Sequence, residues 1–488
     1  MERKNPIEIE KEEFRKVGYQ LIDEISEFIS TINQRPVTSG EGPKQIQELL
    51  NDSPLPDQGT PTDQLFSDTT ELLFNHSLFN GHPKFFGYIT SSAAPIGALG
   101  DLLAATVNPN VGAHLLSPVA TEIERQTIKW LAEFIGVSTD SGGILVSGGN
   151  MANFTAFLAA RTAMTEHNVK EEGLNVEQGK LTVYCSKTTH TWIDKAAILF
   201  GLGSNAVRWI KTNRSNQMDE NELEKTIRED KESGFKPIMV IGTAGDVSTG
   251  AVDNIRLLSE ICKKYNLWLH VDGAYGIPAA VVPEYQNMFD GIEEADSIAL
   301  DPHKWLYSPL EAGCTLVKNP KHLTDTFSSN PEYYNFSSEE NDYAQNFFAY
   351  GLQNSRGFRA LKVWLGLKHL GRNGYKKLIK EDIKLAKLLY KLADDHPELE
   401  AVSQNLSITT FRYVPESFSD SDPEYLNRIN EDLVNKLQSE GELFVSNAII
   451  DKKYCLRACI VNFRTSEKDI RETIDIVVKR GRELQMTD

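Results

Sequence analysis

Near the N-terminus, Phe14, Val17, Leu21, Ile25 and Phe28 recur at helical spacing and predict an amphipathic helix over 11–32. Pro36, Pro43, Pro54, Pro56 and Pro61 then predict mostly loop over 36–62, with a further helix over 63–79. From about residue 90 to 370 short apolar runs at 143–147, 181–186, 237–242, 267–272, 297–300 and 313–317 alternate with helical stretches. Runs of this length, rich in Val, Ile and Leu, suit strands buried on both faces. The fold class predicted is therefore α/β, with a mostly parallel central sheet flanked by helices. Beyond Gly371 the pattern turns helical, then gives strand-like pieces at 406–413 and 454–462 and a last helix over 467–484. The expected division is an N-terminal helical segment (1–90), a large α/β domain (91–375) and a small C-terminal α+β domain (376–488). With little core of its own, the N-terminal segment is expected to clasp a partner subunit.

Charge and composition narrow the partners. Of 488 residues, 51 are Lys or Arg and 69 Asp or Glu, a formal net charge of −18. Such a surface repels nucleic-acid backbones and anionic membranes, and no basic stripe offsets it. No apolar stretch approaches the roughly 20 residues a membrane span needs. The opening MERKNPIEIEKEEF lacks the apolar core of a secretory signal, so a cytoplasmic protein is expected. The five cysteines include no CxxC pair and suggest neither a disulfide framework nor a zinc site.

Candidate chemistry sits at the ends of the predicted strands, where α/β sheets place ligands. SIALDPHKWLY (297–307) puts Lys304 just past a strand, between His303 and Trp305. A lysine among apolar neighbours has its charged form disfavoured, which frees the amine for Schiff-base chemistry; an isolated lysine is otherwise a solvated surface residue. LWLHVDGAYG (267–276) ends a strand on Asp272, which either caps the next helix or faces a ring-nitrogen cation. His270 beside it lacks the further ligands a metal site needs, and no metal is expected. GILVSGGNMANF (143–154) reads as strand, glycine turn and helix, where Gly148 and Gly149 let backbone approach an anion. Alone that motif is weak. His190, in SKTTHTW, is either a structural histidine or a face for a flat ring.

In this order, the glycine turn, His190, HVDGAYG and DPHKW resemble the group II pyridoxal-phosphate decarboxylases, nearest the bacterial aromatic-L-amino-acid decarboxylases. FRKVGYQLIDEISEFI, HPKFFGYITS, SPVATEIE and FRALKVWLGLKHLG also look like segments of that family, so the resemblance spans almost the whole chain. It implies a fold type I, PLP-dependent-transferase-like architecture, the cofactor pyridoxal 5'-phosphate, and a homodimer with shared active sites. By resemblance, Lys304 carries the cofactor and Asp272 binds its pyridine nitrogen. His190 stacks on the ring against Ala274 on the other face. Gly148, Gly149 and Asn150 hold the phosphate with help from His303, and Thr243 lies against the cofactor. Tyr333, or Tyr334 beside it, is the loop tyrosine that returns a proton to the α-carbon. Aldehyde-forming relatives carry phenylalanine there, so tyrosine favours simple decarboxylation. Tyr88, Ile89, Thr90 and His114 are expected in the substrate pocket.

Two departures bear on substrate. Asp246 in TAGDVSTG stands where relatives usually carry threonine, and is expected to alter cofactor contacts or to face solvent. Tyr88-Ile89-Thr90 differs from the aromatic residue and proline that follow the tyrosine in animal aromatic decarboxylases. The reading adopted is decarboxylation of an aromatic L-amino acid to its amine and carbon dioxide, with a small-molecule amino acid as the partner. The alternatives are an acidic or diamino-acid decarboxylase, an aldehyde-forming or transaminating enzyme on the same scaffold, or a cofactor-binding protein without catalysis. Arg356 and Arg359 are read as structural.

Overall fold

The computed structural model describes residues 5, 7–50, 53–174, 180–329, 345–415 and 422–486. The six apolar runs are strands: β1 (Gly142–Val146), β2 (Leu181–Ser186), β4 (Lys236–Thr243), β5 (Trp268–Asp272), β6 (Ser297–Leu300) and β7 (Gly313–Val317), with β3 (Val207–Ile210) added. They form one seven-stranded sheet in the order β1-β7-β6-β5-β4-β2-β3. Only β7 runs against its neighbours β1 and β6; the remaining pairs are parallel.

Period-two alternation decides what each face buries. Val183, Cys185, Met239 and Ile241 pack with Phe157 and Trp192 on one side. Tyr184, Val240, Leu269 and Val271 pack with Leu131, Leu258 and Ile261 on the other. Helices therefore cover both faces, as βαβ crossovers require. In the register of the parallel strands Thr243 lies opposite Asp272, and Asp272 opposite Ala299. The carboxyl ends of β4, β5 and β6 thus finish side by side.

The C-terminal sheet holds β8 (Leu399–Asn405), β9 (Ile408–Tyr413), β10 (Ser446–Ile450) and β11 (Lys453–Cys459), antiparallel in the order β10-β11-β9-β8. The helices Pro423–Glu440 and Glu467–Gln485 pack on it, and Phe86 from the N-terminal region joins that core. A helix over Ala360–Asp394 links the two sheets and runs through residue 375. It kinks at Gly371, whose φ of +62° is left-handed.

The sequence pattern missed β3, β8 and β10. Each lies at an edge of its sheet, where one neighbour is absent and polar residues such as Arg208 and Gln404 interrupt the apolar pattern. Within the stretch expected to be loop, Pro43–Leu50 forms a helix. Pro43 sits at its first position, where no N–H is needed.

Candidate active site

A cavity of about 650 Å³ opens at the carboxyl ends of β4, β5 and β6. The structure brings Gly148, Gly149, Asn150, His190, Thr243, Asp272, Ala274, His303, Lys304 and Ile89 to its wall. Residues more than 200 positions apart in sequence therefore share one site.

The chain reverses after β1 at Gly148, whose φ of +116° only glycine adopts readily. The helix Gly149–Met164 starts there, with its free N–H groups at the cavity. A Cβ built on Gly149 would lie 2.6 Å from Asp301 Oδ2, and one on Gly148 would lie 3.2 Å from His303 Cε1. The turn and the 301–304 segment therefore face each other closely, and glycine is needed to let them.

Asp272 ends β5 and is almost fully buried. Trp192 Nε1 donates to its Oδ2 at 2.7 Å, Asn153 Nδ2 to the same oxygen at 3.3 Å, and the Ala274 N–H to Oδ1 at 3.2 Å. A buried carboxylate needs such donors. Behind it, Asn153 Oδ1 lies 2.7 Å from His270 Nε2, and Ser297 Oγ 2.9 Å from His270 Nδ1. Burial, opposed by the Asp272 charge, lowers the His270 pKa to about 4, so this ring is a neutral strut. His270 and Asp272 are thus joined through Asn153 in a hydrogen-bonded core network.

Lys304 Nζ lies 3.1 Å from Asp301 Oδ2. The sequence anticipates apolar surroundings for this amine; the structure gives it a carboxylate partner instead, across a turn closed by the Lys304 N–H donating to the Asp301 carbonyl at 2.9 Å. The loop is held from behind. Asp382 Oδ2, on the Ala360–Asp394 helix, accepts from Trp305 Nε1 at 2.8 Å and Tyr307 Oη at 2.5 Å, while Tyr375 Oη donates to the Leu306 carbonyl at 3.1 Å. Trp305 also stacks on Tyr275, with ring centres 5.1 Å apart.

The Trp192 N–H donates to His190 Nδ1 at 3.3 Å, which leaves the ring proton on Nε2. Desolvation by the surrounding wall lowers the His190 pKa, and the Asp272 charge opposes it. His303 is lowered likewise by burial, against Asp301. Thr243 donates its N–H to Asp253 Oδ2 at 2.7 Å and places its hydroxyl 3.2 Å from that of Thr189.

Of the residues expected in the substrate pocket, Ile89 lines this cavity, whereas Tyr88, Thr90 and His114 do not. Tyr88 takes φ of +50°, which turns Ile89 inward and leaves the tyrosine 59% exposed. His114 lies outside the wall, with Nε2 3.7 Å from Glu122 Oε1. Tyr333 and Tyr334 lie outside the described residues.

Asp246 neither touches the cavity wall nor faces solvent. It is buried and accepts from the N–H groups of Ser248, Thr249 and Ala251 and from the Thr249 hydroxyl, so its charge closes its own turn. Arg457 in β11 donates to the Val247 carbonyl in that turn, tying the small sheet to the wall. Arg356 is structural, as expected: its guanidinium is buried 2.5 Å from Glu124. Trp192, Asn153, Asp301 and Asp382 escaped the sequence reading. For Asp301 a signal existed, since IALD places an acid directly after its strand much as LHVD ends its own on one.

A family model of the pyridoxal-dependent decarboxylase conserved domain matches residues 43–414. The chain belongs to the pyridoxal-dependent decarboxylases. It is a pyridoxal-phosphate-dependent carboxy-lyase of the fold type I architecture. A second model, the PDXDC1-like second central domain, matches residues 389–487. The chain is 32% identical over 465 residues to an aromatic-L-amino-acid decarboxylase of Bacillus atrophaeus, covering 95% of this chain and 94% of that one. It is 30% identical to a phenylacetaldehyde synthase of Petunia hybrida, covering 93% and 91%. Among solved structures, Oryza sativa TDC with PLP and tryptamine superposes with a TM-score of 0.91 at 25% identity, covering 99% of this chain and all of that one. Catharanthus roseus tryptophan decarboxylase in complex with L-tryptophan gives 0.88 at 27%, covering 98% and 100%.

The residues fit the family's cofactor. A glycine cradle at a helix N-terminus suits a phosphate, a donor-braced carboxylate at the far wall suits a ring-nitrogen cation, and the lysine amine lies in the same cavity.

Proposed function

We propose that this decarboxylase acts on an aromatic L-amino acid, releasing the amine and carbon dioxide. The observation that carries this reading is the charge of the wall. Among its described residues Lys304 is the sole lysine or arginine. The wall histidines have lowered pKa values and supply no standing charge near pH 7. An acidic substrate side chain would need a cation of its own. Of the wall acids, Glu311 is engaged by Arg359 Nε at 2.8 Å, Asp301 by Lys304 Nζ at 3.1 Å and Asp272 by Trp192 and Asn153, so a diamino substrate finds no free carboxylate among them. What remains for a side chain is Ile89, Val247, Tyr275 and Leu310, a lining suited to an aromatic ring. The relatives named for aromatic substrates support the same choice.

Pyridoxal phosphate, when bound, supplies an electron sink for cleavage at the substrate α-carbon. In this reading Lys304 holds the cofactor and later releases product. Asp272, braced by Trp192 and Asn153, keeps a proton on the ring nitrogen. Gly148, Gly149, Asn150 and His303 hold the phosphate, and Thr243 lies against the cofactor. Neutral His190 and the methyl group of Ala274 would confine the ring between them. Tyr333, or Tyr334 beside it, returns the proton to the α-carbon, which separates decarboxylation from aldehyde formation.

The same reading gives a cytoplasmic homodimer built from an N-terminal clasp, a large domain and a small domain. Of the N-terminal helix Lys11–Thr31 only Val17 is buried, and Phe14 is 63% exposed. The helix Pro95–Val107 exposes Leu99, Leu102, Leu103 and Val107. Apolar surface of this extent marks a protein interface. Among the described residues no helix is long and apolar enough to cross a membrane.

The test is to supply the cofactor-saturated enzyme with single amino acids and measure carbon dioxide, amine, aldehyde and peroxide. Carbon dioxide and amine from tryptophan, tyrosine or phenylalanine are expected. Release from glutamate, aspartate or a diamino acid instead would overturn the substrate assignment, and aldehyde with peroxide would overturn the reaction type.

A further inference from the structure

Tyr307 lies three residues beyond Lys304 and is fully buried. Its backbone φ is +55°, in the left-handed region that a bulky side chain adopts only when its surroundings hold it there. That conformation sits inside the turn that carries the lysine. The Lys304 N–H donates to the Asp301 carbonyl at 2.9 Å, and the Tyr307 N–H donates to the Lys304 carbonyl at 3.2 Å. A change of backbone at 307 therefore passes directly to the lysine.

Three contacts hold Tyr307 in place. Its carbonyl accepts from the Ala94 N–H at 2.8 Å, and its ring meets Phe463 edge-on, with centres 5.5 Å apart. Its hydroxyl donates to Asp382 Oδ2 at 2.5 Å. Trp305 Nε1 donates to the same carboxylate oxygen at 2.8 Å, and Tyr375 Oη to the Leu306 carbonyl at 3.1 Å. Residues 305–307 thus hang from one helix, Ala360–Asp394, whose later turns enter the core of the small sheet through Leu385, Ala386 and Leu389. Trp305, Leu306 and Tyr307 are all buried behind the cavity, whereas His303 and Lys304 line it. Pinning the side chains behind the turn fixes the direction in which the amine leaves its front.

We propose that Tyr307 is a positioning residue for Lys304. Its hydroxyl, docked on Asp382, holds the left-handed turn that aims the amine into the cavity. Tyr307 is not part of the cavity wall and acts through the backbone. This rests on Lys304 as the anchor of the cofactor and not on the choice of substrate.

Two probes separate the cavity from the aim of the amine. Pyridoxine 5'-phosphate has the ring and the phosphate but no aldehyde, and its affinity, measured by calorimetry, reads the cavity alone. Pyridoxal phosphate reads the amine as well: its aldehyde condenses with Lys304, water leaves, and the yellow colour of the link reports the rate. Both would be added to the full-length protein stripped of cofactor. Tyr307→Phe, which deletes one oxygen, should bind pyridoxine 5'-phosphate as the wild type does. It should form the lysine link roughly tenfold more slowly, or worse. Asp382→Asn keeps the acceptor and should link at close to the wild-type rate. Asp382→Leu removes the acceptor and should be slowed at least as much as Tyr307→Phe, and adding Tyr307→Phe to it should slow it no further. Wild-type linking in Tyr307→Phe would overturn the proposal. So would an equal loss of both probes in that variant, which marks a collapsed cavity rather than a misdirected amine. Should Tyr307→Phe not fold, the two Asp382 variants decide, and equal linking rates in them would overturn the proposal. A wild type that binds neither probe would instead overturn the cofactor assignment.

Discussion

Trp192 Nε1 donates to Asp272 Oδ2 at 2.7 Å, joining the segment after β2 to the end of β5 across the floor of the cavity. The same tryptophan also fixes His190 through its backbone N–H. One residue thus sets both the carboxylate for the ring nitrogen and the imidazole for the ring face. A hydrogen bond to a buried charge contributes about 1.5–3 kcal/mol. Trp192→Phe keeps the ring and removes the donor. It should weaken pyridoxal-phosphate binding by roughly tenfold or more, read by absorbance titration of the cofactor. Unchanged affinity would show that Asn153 and Ala274 suffice to hold Asp272.

Asp382 gives a pH signature of the fold itself. Burial raises its pKa to about 7, against the lowering effect of the Tyr307 and Trp305 donors. The unfolded chain releases this proton near pH 4, and the folded chain holds it until about pH 7. The folded state binds more protons across that window, so Asp382's contribution to stability declines as pH rises from about 4 to 7 and then levels off. Asn at this position accepts both hydrogen bonds without a charge. Relative to wild type, Asp382→Asn should gain melting temperature progressively across that window and keep the gain at pH 8. A difference independent of pH would contradict the assignment.

The exposed apolar face predicts assembly. Leu102→Asp with Leu103→Asp places charges in the proposed interface without touching the cavity wall. Sedimentation should shift from dimer to monomer, with activity lost alongside. A variant that sediments as the wild type does would remove this helix from the interface.

Much of this site was legible from the chain alone, because its main parts are local. Lys304, Asp272 and the glycine turn each end or follow a strand whose apolar pattern is unmistakable. Partners brought together by folding were not legible. Trp192 lies 80 residues from the aspartate it serves, and Asp382 lies 77 from Trp305. Asp246 shows the converse limit. Its position in the sequence pointed toward the cofactor, yet nearby N–H groups and the Thr249 hydroxyl captured its carboxylate.

The most direct test of the account is where the cofactor is attached. Sodium borohydride would reduce the lysine–cofactor link in the loaded enzyme, and peptide mapping by mass spectrometry would locate the pyridoxyl group. The account predicts it on Lys304 and nowhere else, and none in Lys304→Ala. Stoichiometric label on another lysine, or a loaded enzyme that carries none, would contradict it.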